Sequence, residues 1–129
     1  MQSELFITVE DGFVQVIAEG DKDFSFSTRL WTDVSRVCRE NNCYKVLGIA
    51  NSTKTLTTAE AFDHVKLFED LKISSEYRIA WVEHNPKAYD TISLIETLLK
   101  DRGFEVRLFP EVNQAKSWLL GARQARADS

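Results

Sequence analysis

The stretch from Glu76 to Phe109, EYRIAWVEHNPKAYDTISLIETLLKDRGFEVRLF, constrains the fold more than any other part of the chain, because its local signals agree with one another. Tyr77 to Val82 is a short, nearly continuous apolar and aromatic run that Asn85-Pro86 breaks. Ala88, Ile92, Ile95 and Leu99 then recur at helical spacing. Asp101-Arg102-Gly103 ends that helix, since glycine takes the left-handed conformation of a C-terminal cap at little cost. Phe104, Val106 and Leu108 alternate with Glu105 and Arg107 as on a strand. A strand, a crossover helix and a strand of this length make a parallel βαβ unit, so the chain is expected to be an α/β protein.

The rest of the chain extends this unit in both directions. Leu5 to Glu10 and Phe13 to Glu19 read as strands, and Asp11-Gly12 between them is a two-residue hairpin signal. Gly20 to Asp23 reads as a polar loop, and from about Ser27 the residues Leu30, Trp31, Val34, Val37 and Cys38 share one helical face up to Asn41-Asn42. Phe24 and Phe26 are read as staples at that helix start.

Tyr44 to Ala50 is a buried type of strand, in which Gly48 marks a place where something approaches the backbone closely. A polar loop, Asn51 to Thr55, follows it. Thr57-Thr58-Ala59-Glu60 is a capping box, and Phe62, Val65, Phe68 and Leu71 are expected to form the buried face of a second helix. Pro110-Glu111 opens a last helix with Val112, Ala115, Trp118 and Leu119 inward, stopped by Gly121.

The expected order is β-β-α-β-α-β-α-β-α in a single domain, residues 1–121, with 122–129 a frayed polar tail. Right-handed crossovers place successive helices on one side of the sheet. The strands 44–50 and 77–82 are apolar on both faces, so the other side needs a cover, either a helix that wraps round or a second copy in a homodimer. Trp81 and Trp118 are expected to be largely buried.

With 129 residues the chain is long enough to bury one core without disulfides or metal. Its formal net charge of −4 and the scatter of its basic residues argue against nucleic-acid binding, which needs clustered Lys and Arg. No apolar run is long enough for an integral membrane segment, and the N-terminus has no signal-peptide pattern, so a cytoplasmic location is expected. Cys38 and Cys43 lack CxxC or zinc spacing and are read as buried free thiols.

Ligands of parallel α/β units gather at the loops after the carboxyl ends of strands. There Asn51, Ser52, Thr57 and Thr58 place hydroxyl and amide groups beside a helix N-terminus, where an anion is favoured. The plain alternative is a polar loop with a capping box. Glu83-His84 has acid and base side chains but no nucleophile or second histidine beside it, and serves as a weaker ligand candidate. His64 is read as boundary or solvent-facing polarity. GxGxxG, P-loop, GxSxG and HExxH patterns are absent, and no cofactor, metal or enzymatic chemistry is expected.

From Ala88 to Leu119 the chain reads AYDTISLIETLLKDRGFEVRLFPEVNQAKSWL, ending in Ala115-Lys116-Ser117-Trp118-Leu119. It resembles the bacterial SpoIIAA-like proteins, a branch of the STAS superfamily whose members often end in a strand, a phenylalanine and a short helix finishing in Ala-x-x-Trp-Leu. The resemblance implies a mixed sheet with an antiparallel N-terminal strand followed by βα units and four main helices.

In the superfamily's anti-sigma-factor antagonists, a serine in an Asp-x-Ser segment at the loop-to-helix junction after a central strand is phosphorylated by a partner kinase. The corresponding region here is Asn51 to Thr58. It lacks Asp-x-Ser, has Thr57-Thr58 at the helix start, and offers Ser52 as a loose counterpart. The resemblance thus implies a regulatory, protein-binding domain in which Ser52 and Thr58 are solvent-accessible and Thr57 holds the N-cap. The alternative is a small-molecule or lipid-binding module with an apolar pocket between sheet and helices.

Overall fold

In a computed structural model the described residues are 3–122, without the side chain of Ala122. The hairpin strands are β1 (Ser3–Glu10) and β2 (Phe13–Asp21), joined at Asp11-Gly12, where Gly12 has φ 91°. Then come α1 (Phe24–Asn41), β3 (Lys45–Lys54), α2 (Thr58–Asp70), β4 (Arg78–Glu83), α3 (Tyr89–Asp101), β5 (Glu105–Phe109) and α4 (Val112–Ser117). A 3-10 turn at Pro86–Ala88 leads into α3, and a π turn at Trp118–Ala122 follows α4. The tail expected at 122–129 lies, apart from Ala122, outside the described residues.

The five strands lie in sequence order, β1 antiparallel to β2 and all later neighbours parallel, which is the mixed α/β sheet expected. α1, α2 and α3 pack one face through a core that includes Val16, Val34, Ala50, Phe68, Ile79 and Leu99. The opposite face of β3 to β5 is closed by the chain itself. Ala115 and Leu119 cover Leu47, Ala80, Val82 and Phe109. A helix of the chain itself, wrapped round, supplies that cover. Among the described residues the hairpin's share of this face stays open, with Phe6 51% exposed beside the partly buried Ile17.

Several boundaries differ from the sequence reading. α1 begins at Phe24 rather than Ser27, because the Asp23 carboxylate accepts from the Phe26 amide at 2.8 Å and fixes the N-cap one turn earlier. Gly20 to Asp23 is not simply a polar loop: β2 continues to Asp21, and Lys22 is buried. Asn51 to Lys54 belongs to β3, held by pairing with the lengthened β2 and by the Lys22 amide donating to the Lys54 carbonyl at 2.7 Å. Cys38 is buried and Cys43 partly so; both are free, and burial pushes the Cys38 thiol up to about 12.

Gly48 answers to the close approach its position suggested. It pairs with Trp81 across β3 and β4, and a Cβ built on it would lie 2.0 Å from the indole ring. Gly48→Ala is therefore expected to lower stability by about 1–3 kcal/mol through overpacking. Urea unfolding of Gly48→Ala alone and combined with Trp81→Leu checks this, since the smaller partner should recover part of the loss.

Trp118 rests against Phe109, with ring centroids 5.6 Å apart, and under the Arg78 guanidinium. Both Trp81 and Trp118 are partly, not fully, buried.

Candidate functional site

At the carboxyl ends of β3 and β4 the chain ties two loops together through one side chain. The Glu83 carboxylate, 4% exposed, accepts from the Ser52 amide at 3.0 Å, the Ser52 hydroxyl at 2.7 Å and the Asn85 amide at 3.0 Å. The Asn85 side-chain amide returns a bond to the Ser52 carbonyl, and the His84 amide donates to the Ala50 carbonyl at 2.9 Å. Parallel pairing explains the meeting: Ala50 is opposite Glu83, which sets Ser52 just beyond the last paired residue of β4. A buried carboxylate is costly unless its lone pairs are filled, and here three donors fill them.

Ser52 is therefore 3% exposed, contrary to the accessibility expected of it. Reading Asn51 to Thr55 as a loop hid the cause, since a strand register buries every second residue and β3 runs on through Lys54. Of the two weaker candidates, Glu83 is this buried tie, whereas the His84 side chain is exposed. The two do not act as a pair.

The other half of the segment stands as expected. Thr57 is the N-cap of α2: its hydroxyl accepts from the Glu60 amide at 3.1 Å while Glu60 accepts from the Thr57 amide at 2.8 Å. Glu60 also accepts from the Phe24 amide at 3.0 Å, so one carboxylate caps α1 and α2 together. The Thr57 bond foremost, with the Phe24 bond adding to it, holds the Glu60 carboxyl below its usual range. Asn51 and Thr58 are exposed.

The face that α2 buries is the expected one only in part: Phe68 is buried and Val65 and Leu71 pack partly buried against the core, but Phe62 does not join them. Ala61, His64, Leu67 and Phe68 point inward, while Phe62 is 54% exposed. An amphipathic count that treats histidine as polar and alanine as neutral centres the face too far toward Phe62. The His64 ring packs edge-on against Phe24 at 5.6 Å, and its Nδ1 bonds the Glu60 carbonyl at 2.8 Å. Sequence reasoning thus missed Phe62 as a surface residue and His64 as a buried one; the contact with Phe24, from another helix, was not readable in the spacing of α2 alone.

Burial lowers the His64 pKa, although the Glu60 carbonyl and the Asp63 and Glu60 charges pull it upward. Its folded value lies below the unfolded value, so the unfolded chain binds the proton more readily. The stability this residue contributes is complete above about pH 6.5 and falls as pH drops toward and through the lowered folded value. The midpoint of thermal unfolding should fall between pH 7.5 and 5.5, and the fall should be smaller in His64→Gln.

Lys22 lies at the same end of the sheet, 7% exposed. Its ammonium donates to the Gly20 carbonyl at 2.8 Å and lies 5.3 Å from the Phe26 ring centroid. Burial lowers its pKa, opposed by Glu83, Asp21 and Glu19. Among the described residues no three His, Cys, Asp or Glu side chains gather as a metal site, and no helix is long and apolar enough to cross a membrane. The site presents a fixed, hydrogen-bonded inner layer and an outer layer of Asn51, Thr58 and Phe62.

The architecture is that of the SpoIIAA-like fold. Over 92% of this chain and 94% of the other, at 15% identity and a TM-score of 0.63, it superposes on the crystal structure of an anti-sigma factor antagonist from Mycobacterium paratuberculosis. An uncharacterized protein of the DUF3478 family from Shewanella loihica PV-4, described as having a SpoIIAA-like fold, matches over 91% and 93% of the two chains at 16% identity, with a TM-score of 0.54. No family profile matches the sequence, and no curated protein does.

Proposed function

We propose that this chain is a non-enzymatic regulatory domain that binds a protein partner through the start of α2, in the manner of an anti-sigma-factor antagonist. The observation that carries the reading is Phe62. A phenylalanine 54% exposed, one helical turn after the exposed Thr58, sits on a helix whose first turn is held by a reciprocal capping box. An aromatic side chain presented on a rigid element is a suitable anchor for a protein interface. The structural likeness to an anti-sigma factor antagonist supports the same reading.

Regulation by phosphate belongs at Thr58 in this proposal. It is exposed at the first position of α2, where added negative charge meets the positive end of the helix. Ser52 does not serve, because its hydroxyl is buried against Glu83. The test is capture of partners from native lysate on immobilised wild type and Phe62→Glu, with Phe6→Glu as a control on the opposite face of the sheet. A partner retained by wild type and Phe6→Glu and lost with Phe62→Glu is expected.

A further inference from the structure

β1 is an edge of the sheet, and nothing in its own sequence closes that edge. The strand order places it outermost, and it pairs with β2 residue for residue from Ser3 to Glu10 without a bulge. Natural edge strands are commonly protected by lysine, proline or a bulge. β1, SELFITVE, has none of the three. Half of its backbone N–H and C=O groups face away from β2, and among the described residues no backbone bond from another element reaches them. Apolar side chains are exposed on both faces of the same strand, Phe6 and Val9 each at 51%.

Charge restricts what such an edge pairs with. The hairpin, residues 3–21, carries the carboxylates of Glu4, Glu10, Asp11, Glu19 and Asp21 and no lysine or arginine. Alternation along the strand places Glu4, Phe6, Thr8 and Glu10 on one face of β1, with Glu19 and Ile17 of β2 in register beside Glu4 and Phe6. The row thus reads carboxylate, aromatic, hydroxyl, carboxylate. Glu10 accepts from the Thr8 hydroxyl at 2.8 Å, and both residues stay exposed. Cations of other elements stand at the two ends of the hairpin: Lys116 lies 5.5 Å from the Phe13 ring centroid, and Lys54 is in register with Asp21. A second copy is a poor occupant. Pairing β1 with itself in the antiparallel sense about its centre brings the carboxylates at the ends of the two rows together, and like charges across strands repel.

We propose that β1 takes up an extended segment of a partner protein as an additional strand, one with Lys or Arg at both ends and a β-branched or aromatic residue between them on the face that Phe6 shares. Backbone hydrogen bonds to the outer edge of β1 hold the segment. Its cations pair with Glu4 and Glu10, and its apolar residue covers Phe6. Phe6 lies on the face of the sheet opposite α2, so this surface is separate from the one at Phe62 and does not rest on it.

The test is titration of the ¹⁵N-labelled full chain with the end-capped peptide Lys-Thr-Val-Thr-Val-Thr-Lys, whose pattern fits β1 in either direction. Saturable binding is expected, with hydrogen exchange slowed at the outward amides of Ser3–Glu10 and resonances unmoved at Thr58 and Phe62. Exchanging both lysines for glutamate, or N-methylating the peptide backbone, should weaken binding at least tenfold, as should Glu4→Lys combined with Glu10→Lys. No saturable binding at millimolar peptide, equal affinity of the glutamate or N-methylated peptide, or shifts centred on α2 instead of β1 would overturn the proposal. Slowed exchange of the same β1 amides on concentrating the free protein would overturn it too, by showing that a second copy holds the edge. Should the double variant fail to fold, the peptide series on wild type decides the matter alone.

Discussion

Arg78→Ala is expected to lower the unfolding free energy by about 2–3 kcal/mol, the range for losing hydrogen bonds made by a charged group, since the Glu105 carboxylate left behind is 33% exposed and takes up water. Arg78 is 1% exposed at the start of β4. Its guanidinium pairs with Glu105 on β5, donates to the Trp118 carbonyl at 2.8 Å and lies 3.7 Å from the centroid of the Trp118 ring. One side chain thus holds the end of α4 against the sheet, and α4 is what covers Leu47, Ala80 and Val82.

Without Arg78 the Trp118 carbonyl loses a donor and the cover loses its fastening. Arg78→Lys keeps the charge but not the planar fork, and should fall between wild type and Ala. Urea unfolding measures all three. Because Trp118 shares the interaction, Trp118→Ala and Arg78→Ala should cost less together than the sum of the two alone. A loss below about 1 kcal/mol in Arg78→Ala would show that α4 is held by its apolar contacts alone.

The second large effect belongs to Glu83. Glu83→Ala removes the acceptor of the Ser52 amide, the Ser52 hydroxyl and the Asn85 amide. Each buried donor left unmade costs about 1–3 kcal/mol, so a loss of about 3 kcal/mol or more is expected even if water enters. Glu83→Gln retains one acceptor oxygen but turns an NH₂ toward the donors, and should be intermediate. Ser52→Asp sets a second carboxylate against Glu83 in a buried position and should also destabilise, so it is a poor mimic of phosphorylation here. Thermal and urea unfolding of the three variants check the order. Stability unchanged in Glu83→Ala would mean that the tie does not form in solution.

What the sequence revealed was what local pattern controls. The βαβ unit, the hairpin at Asp11-Gly12, the capping box at Thr57 and the packing against Gly48 each depend on residues close in sequence or on a single missing side chain, and each was readable. The strand extension through Lys54 was not, because it depends on β2 continuing beside it as far as Asp21. That error carried Ser52 to the surface in the reading and hid its bond to Glu83, which lies 31 residues away. On α2, Phe68, Val65 and Leu71 pack inward as expected, but His64 and Phe62 were misread for a related reason: His64 is inward, where Phe24 of another helix meets it, and Phe62 is left outside. The division of the candidate segment 51–58 into a buried inner layer and an exposed outer one needed the fold.

The most direct test of the account is the affinity of a captured partner for wild type, Phe62→Glu, Thr58→Asp and Phe6→Glu, measured on proteins with matched thermal midpoints. Exposed substitutions of this kind should leave those midpoints within about 0.5 kcal/mol of stability of one another. The account predicts that Phe6→Glu binds as wild type does, while Phe62→Glu and Thr58→Asp lose at least tenfold in affinity. Equal affinity across all four proteins would contradict it and leave the start of α2 as a capped helix with no part in recognition.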